Sequence, residues 1–179
     1  MDINEITQLI RSRRSIFPKM YIDKPISDET IKHILENANW APTHKKTEPW
    51  RFVVFQNEAL QKLSAYLGDH YKENTPSDRF SEAKWNKKKK SPLQSGAVIA
   101  ICMRLDPQVN IPEWEEVAAV ACAVQNMWLT CTSLDIGGYW SSPAAIIEAR
   151  EFLGLEETEK CLGLFNMGYS EMMLSLIHI

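Results

Sequence analysis

The chain has 179 residues, 45% apolar and 24% charged, with a formal net charge of -3, which suits one globular domain (1–171) with a substantial core. The weakly acidic balance offers nothing general to nucleic acid or to an acidic membrane. No apolar run approaches the roughly 18–20 residues of a membrane span, and the acidic start Met1-Asp2-Ile3-Asn4-Glu5 is unlike a signal peptide.

Asp2 and Glu5 form a capping-box pattern ahead of a first helix whose apolar face is Ile3, Ile6, Leu9 and Ile10. That helix runs into Arg13-Arg14-Ser15, and Pro18 then forces an extended passage to Pro25. Ser27 caps a second helix with Asp28 and Glu29 in its first turn and a buried stripe of Ile31, Ile34, Leu35 and Ala38. It ends in a polar loop, Ala41-Pro42-Thr43-His44-Lys45-Lys46-Thr47-Glu48-Pro49, stiffened by a proline at each end. Arg51 to Gln56 reads as a strand, with Trp50 and Phe52 as core residues. Asn57 caps a helix carrying Leu60, Leu63 and Leu67, which Gly68 is expected to stop.

Residues 69–91 are polar and end in the lysine run Lys84 to Lys90, so they read as helical surface or a mobile lid closed by Pro92. Gly96 to Leu105 has the composition of a central strand. The longest helix is expected from Glu113 to about Leu134, with Val117, Val120, Ala121, Val124, Trp128 and Cys131 as one stripe. Ala118, Cys122, Ala123 and Leu129 widen that stripe around most of the helix, which must then be buried in the core or between subunits. Gly137-Gly138 is read as its stop, followed by a short strand. Ser142-Pro143 opens a helix with Ile146, Ile147 and Phe152 that ends at Gly154, and Cys161 to Tyr169 is a last strand. The order points to an α+β fold around one sheet. Cys102, Cys122, Cys131 and Cys161 are widely spaced in apolar sequence, as free buried thiols of a reducing cytoplasm would be, and no metal site is expected. Residues 172–179 do not continue the pattern of the last strand. They resemble the translation of a sequencing-library adapter and are read as a non-native or truncated tail.

Three segments could carry chemistry. Arg13 and Arg14 beside the Ser15 hydroxyl suit a phosphate, although paired arginines also serve simply to finish a helix. His44 could meet a ligand's polar edge or belong to the surface, and Trp40 stands at the mouth of its loop. Gly137-Gly138-Tyr139-Trp140-Ser141-Ser142 offers close backbone approach, aromatic area and hydroxyls, but equally a glycine stop before a strand. The lysine run reads as a solvated helix face with no nucleic-acid motif beside it. No Gly-x-Gly-x-x-Gly follows any strand, which speaks against a dinucleotide-binding Rossmann unit.

In combination, order and spacing these segments resemble the FMN-dependent nitroreductase family, in particular its small single-domain members. The resemblance rests on Arg13-Arg14-Ser15, on Ala41 to Lys45 with Pro49 to Phe52, on the long helix into Gly137 to Ser141, and on Leu164-Phe165-Asn166-Met167-Gly168-Tyr169. It implies a nitroreductase-like fold, a mostly antiparallel sheet flanked by helices, in an intertwined homodimer with FMN at the subunit interface. Arg13, Arg14 and Ser15 match the segment gripping the FMN phosphate and ribityl chain. Trp40 and His44 match pocket positions, His44 reaching the flavin of the other subunit. Trp140, Ser141 and Ser142 match the segment lining the flavin. The chain departs from many relatives at Phe17, where a further basic residue is common, and at Glu48 in place of glutamine, and from some relatives at Ser141 in place of arginine. It also lacks their basic C-terminal tail, which bears on phosphate affinity and dimer stability.

The implied activity is a two-step exchange. NAD(P)H reduces FMN and leaves, and a nitroaromatic, quinone or similar electron-poor acceptor is then reduced by a site in which the cofactor carries the chemistry. No protein catalytic acid is assigned. The alternatives are a sibling flavin chemistry, such as dehalogenation or flavin breakdown, and a non-catalytic FMN-holding protein.

Overall fold

The computed structural model describes residues 2–171; the tail at 172–179 lies outside the described residues. The elements run α1 (Ile3–Ser12), α2 (Asp28–Ala38), β1 (Trp50–Phe55), α3 (Glu58–Glu73), α4 (Glu82–Leu93), β2 (Ala97–Arg104), α5 (Glu113–Ser133), β3 (Ile136–Ser141), α6 (Ala144–Ile147), α7 (Arg150–Leu153) and β4 (Glu159–Tyr169). The four strands form one sheet in the order β1-β2-β4-β3, every pairing antiparallel. The α+β expectation holds.

Because side chains alternate across a strand, β2 supplies both faces of the sheet. Ala97, Ile99, Ile101 and Met103 join α2 and α5 on one side. Val98, Ala100 and Cys102 join α3, α6 and α7 on the other. All seven are fully buried, each larger side chain contributing about 1.5–3 kcal/mol by leaving water. On the first side α2 is tied to α5 by the Asn37 amide donating to Thr130 Oγ1 at 3.0 Å and the Asn126 amide donating to the Asn37 carbonyl at 3.2 Å. On the second, α4 rides on α3, where Ser64 Oγ donates to the Lys89 carbonyl at 2.7 Å.

Four sequence expectations need correction, the last being that Cys122 is buried. Helix α3 continues through Gly68 rather than stopping there. That glycine lets α4 close in, since a Cβ would sit 2.5 Å from Lys89 Cγ. Gly137 and Gly138 do not end α5, which turns at Leu134 and Asp135, the latter with φ +55. They lie inside β3, where a Cβ on Gly138 would meet Phe165 and Trp128 at 2.7 and 2.8 Å. The helix after Pro143 is two short ones, α6 and α7, and Gly154 closes the second with φ +65. Cys122 is exposed on α5, whereas Cys102, Cys131 and Cys161 are buried; all four are free thiols. Packing pushes the Cys131 thiol up to about 12 by burial. Among the described residues, no helix is long and apolar enough to cross a membrane.

Candidate active site

After α1 ends, the chain extends and becomes a short rider on the free edge of β3. Ser15 forms a parallel bridge with Gly138, and Ile16 N–H donates to the Gly138 carbonyl at 3.0 Å. Tyr21 locks this arm down: its hydroxyl lies 2.7 Å from the Ile16 carbonyl and 3.0 Å from that of Asn166, donating to one at a time. Burial raises the pKa of that phenol, so it remains a neutral donor. The Arg13-Arg14-Ser15 and Gly137 to Ser142 segments are therefore brought together within one chain.

Trp128 of α5 is the floor under the arginines. Its indole N–H donates to the Arg14 carbonyl at 3.2 Å, and the Arg13 guanidinium sits 4.8 Å from the ring centroid, a cation–π geometry. Arg14 Nη1 donates to the carbonyls of Arg11 and Arg13, but its buried Nη2 has no partner among the described residues. A buried charged donor left unpaired costs at least about 1–3 kcal/mol, and a phosphate oxygen is the complementary acceptor.

The far end of β3 is shaped by a bulge in β4. Register slips between Ile101 and Cys102, leaving Leu162 as the extra residue before Gly163. Gly163 has φ +142, and a Cβ there would lie 2.4 Å from the Ser141 carbonyl and 2.6 Å from Trp140 Nε1. Only glycine allows that approach. Trp140 N–H then donates to the Leu162 carbonyl at 3.3 Å, and the buried Asn166 amide donates to the Tyr139 carbonyl at 3.2 Å and to Ser141 Oγ at 3.4 Å. Tyr139, Trp140, Ser141 and Ser142 line a cleft of about 600 Å³. Its opposite wall is α4, through Lys84, Lys87, Lys88 and Ser91. The lysine run is thus not only a solvated face. These four positions recur at helical spacing, the signal in the sequence that could have found them. An isolated glycine within a strand pattern could likewise have pointed to the bulge at Gly163.

The Trp40–His44 loop does not reach this cleft within one chain. Trp40 is 81% exposed at the end of α2. His44 Nδ1 lies 2.6 Å from Glu115 Oε2, and Thr47 Oγ1 donates to the buried Glu116 carboxylate at 2.8 Å, so the loop is fixed to the start of α5. Lys45, Lys46 and Glu48 adopt φ of +51, +56 and +45, left-handed conformations that cost energy in non-glycine residues. From Glu115 to Trp128 is about 20 Å along α5, which separates this loop from the arginines. Trp50 is core, as expected, its N–H donating to Asn39 Oδ1 at 2.9 Å.

Comparison with known proteins identifies the fold and the family. The Nitroreductase family model matches residues 10–169. YdjA of Escherichia coli (strain K12), named as a proposed NAD(P)H nitroreductase, is 26% identical over 150 residues, covering 82% of this chain and 79% of that protein. A nitroreductase-like family protein from Bacillus cereus superposes with a TM-score of 0.79 at 25% identity, over 98% of this chain and 90% of that one. The FMN-dependent nitroreductase NfnB of Mycobacterium smegmatis, solved in complex with NADPH, shares the fold with a TM-score of 0.75 at 17% identity, over 95% of this chain and 90% of that one. With a family match that runs from the end of α1 to the end of β4, the chain belongs to the Nitroreductase family.

Proposed function

We propose that this protein is an FMN-dependent oxidoreductase that passes hydride equivalents from NAD(P)H to a nitroaromatic, quinone or similar electron-poor acceptor in two steps. It would work as a cytoplasmic homodimer of one domain (1–171) per chain. The observation that carries the reading is the buried Arg14 Nη2, unpartnered among the described residues, beside a Ser15 that is held against β3. FMN, when bound, supplies the hydride chemistry. Arg13, Arg14 and Ser15 hold its phosphate and ribityl end. Trp140, Ser141 and Ser142 orient the ring along β3, and Asn166 and the Gly163 bulge keep that wall in place. Tyr139 also keeps water from one side of the cleft.

Trp40 and His44 take part through a second copy of the chain. Supporting that assembly, α5 leaves Ala118, Cys122 and Gln125 uncovered at successive turns, and Ile3, Ile6 and Ile10 of α1 are exposed on one face. Small and apolar side chains facing solvent on two helices suit a subunit interface, and Glu115 would hold the His44 ring in a fixed orientation for the partner's flavin.

The test is the visible absorption spectrum of freshly purified protein, followed by anaerobic addition of NADPH or NADH. A yellow protein that bleaches within seconds and recovers its colour with a nitroaromatic or quinone supports the reading. A yellow protein that stays coloured is a flavin-holding protein instead. A colourless monomer that takes up no added FMN overturns the proposal.

A further inference from the structure

We infer that the lysine face of α4 is an anion-binding wall of the active-site cleft, so that the protein selects reaction partners in which an aromatic ring is joined to a negatively charged group. This rests on the flavin reading above and names the substrate class of that same site. Lys84, Lys87 and Lys88 fall on one face of α4 and line the cleft together with Tyr139 of β3. A second hollow of about 320 Å³ continues past Lys88, lined also by His70, Tyr71 and Glu148. The occupant such walls suit is flat and aromatic at one end and anionic at the other.

The charges along this wall are not balanced by the protein. No ion pair is formed by Lys84, Lys87 or Lys88 among the described residues. The carboxylate lining the second hollow, Glu148, faces His70 at 3.8 Å. Lys88 has only a distant ring contact, 5.9 Å from the Tyr71 centroid, whereas Lys89 lies over the Trp85 ring at 4.5 Å and packs against Gly68. Like charges at helical neighbours repel one another, and a carboxylate or phosphate entering the cleft offsets that repulsion. A ring with an anionic substituent can come from two sources, a carboxylated electron acceptor or the phosphate-bearing pyridine dinucleotide.

The experiment uses the protein as purified and ligands that undergo no reaction, with binding followed by calorimetry. One arm compares benzoate with benzamide; the other compares NADP+ with NAD+. The native protein is expected to favour the more anionic member by tenfold or more in at least one arm, and the preference should shrink as salt is raised. In the variant K84Q/K87Q/K88Q the preference should fall to within about twofold, while K84R/K87R/K88R retains it. Loss confined to the benzoate arm assigns the wall to the acceptor, and loss confined to the NADP+ arm assigns it to the dinucleotide. A glutamine variant that keeps the native preference overturns the inference. So does one that emerges without FMN while the native protein carries it, because the lysines would then serve the flavin itself. If the native protein is colourless and refuses FMN yet still prefers the anion, the proposed function fails and the anionic wall stands.

Discussion

Helices α4 and α5 are the two extremes of this molecule. Helix α5 is apolar around most of its circumference, and its inner face (Ala119, Val120, Ala123, Val124, Met127 and Cys131) is buried against the sheet. Helix α4 is mostly lysine and other polar residues, and of its twelve residues only Pro92 is buried. Yet each has a face left over after folding. On α5 the surplus is mostly small side chains, Ala118 and Cys122 with Gln125, which suit close packing against another surface. On α4 it is cationic, satisfied by solvent or by an anion. Hydrophobic burial is proportional to area and indifferent to chemistry, whereas an unpaired charge asks for a particular kind of partner. One helix therefore points to assembly and the other to substrate.

That contrast can be broken at several points. The largest effect is expected from Ala118→Arg on the outer face of α5. It should convert the proposed dimer to a monomer by sedimentation and strip most of the proposed FMN, and a dimeric, yellow variant would refute the interface. The same variant should expose Cys122 to iodoacetamide at pH 8. The native protein, if it forms the proposed dimer, should leave it unreacted, and Cys131, with its thiol raised to about 12 by burial, should stay inert in both. On the inner face, Met127→Ala should cost about 2–5 kcal/mol of unfolding free energy in urea without changing the mass of the assembly at low denaturant. Arg14→Gln should weaken FMN binding by about 1.5–3 kcal/mol, the worth of a charged hydrogen bond, read from flavin retained after dialysis. Unchanged retention would remove Arg14 from the phosphate site. The smallest effect is expected at Ser27, whose Oγ accepts from Thr30 N–H at 3.2 Å as the cap of α2. Ser27→Ala should cost about 1 kcal/mol and leave flavin content and oligomeric state untouched, so it serves as the reference for a purely local change.

Much of this was legible before folding. Period-3.6 stripes located α2 and α5, apolar runs located β2 and β4, and Ser27 and Gly154 marked the helix ends they were expected to mark. The glycines misled for a single reason. In the sequence Gly68, Gly137 and Gly138 look like stops, a local conformational role, but each is present because another element packs against it. A side chain's absence is a statement about a neighbour that can lie far away in sequence. The lysine run misled in the same way: without β3 opposite it, Lys84, Lys87 and Lys88 are an ordinary solvated face.

By itself, the sequence determined the elements, the class of fold, the order of the chemistry-bearing segments and the family they resemble, because periodicity, capping and proline act over a few residues. Only the tertiary structure decided that the Arg13–Ser15 arm rides on β3, that the β4 bulge at Gly163 admits Trp140 and Ser141, and that α4 turns its lysines towards them. These are contacts between residues from 22 (Ser141 and Gly163) to 123 (Ser15 and Gly138) positions apart, and which of the many possible long-range pairings forms is settled by burying both faces of one sheet at once, a condition no local stretch of the chain contains.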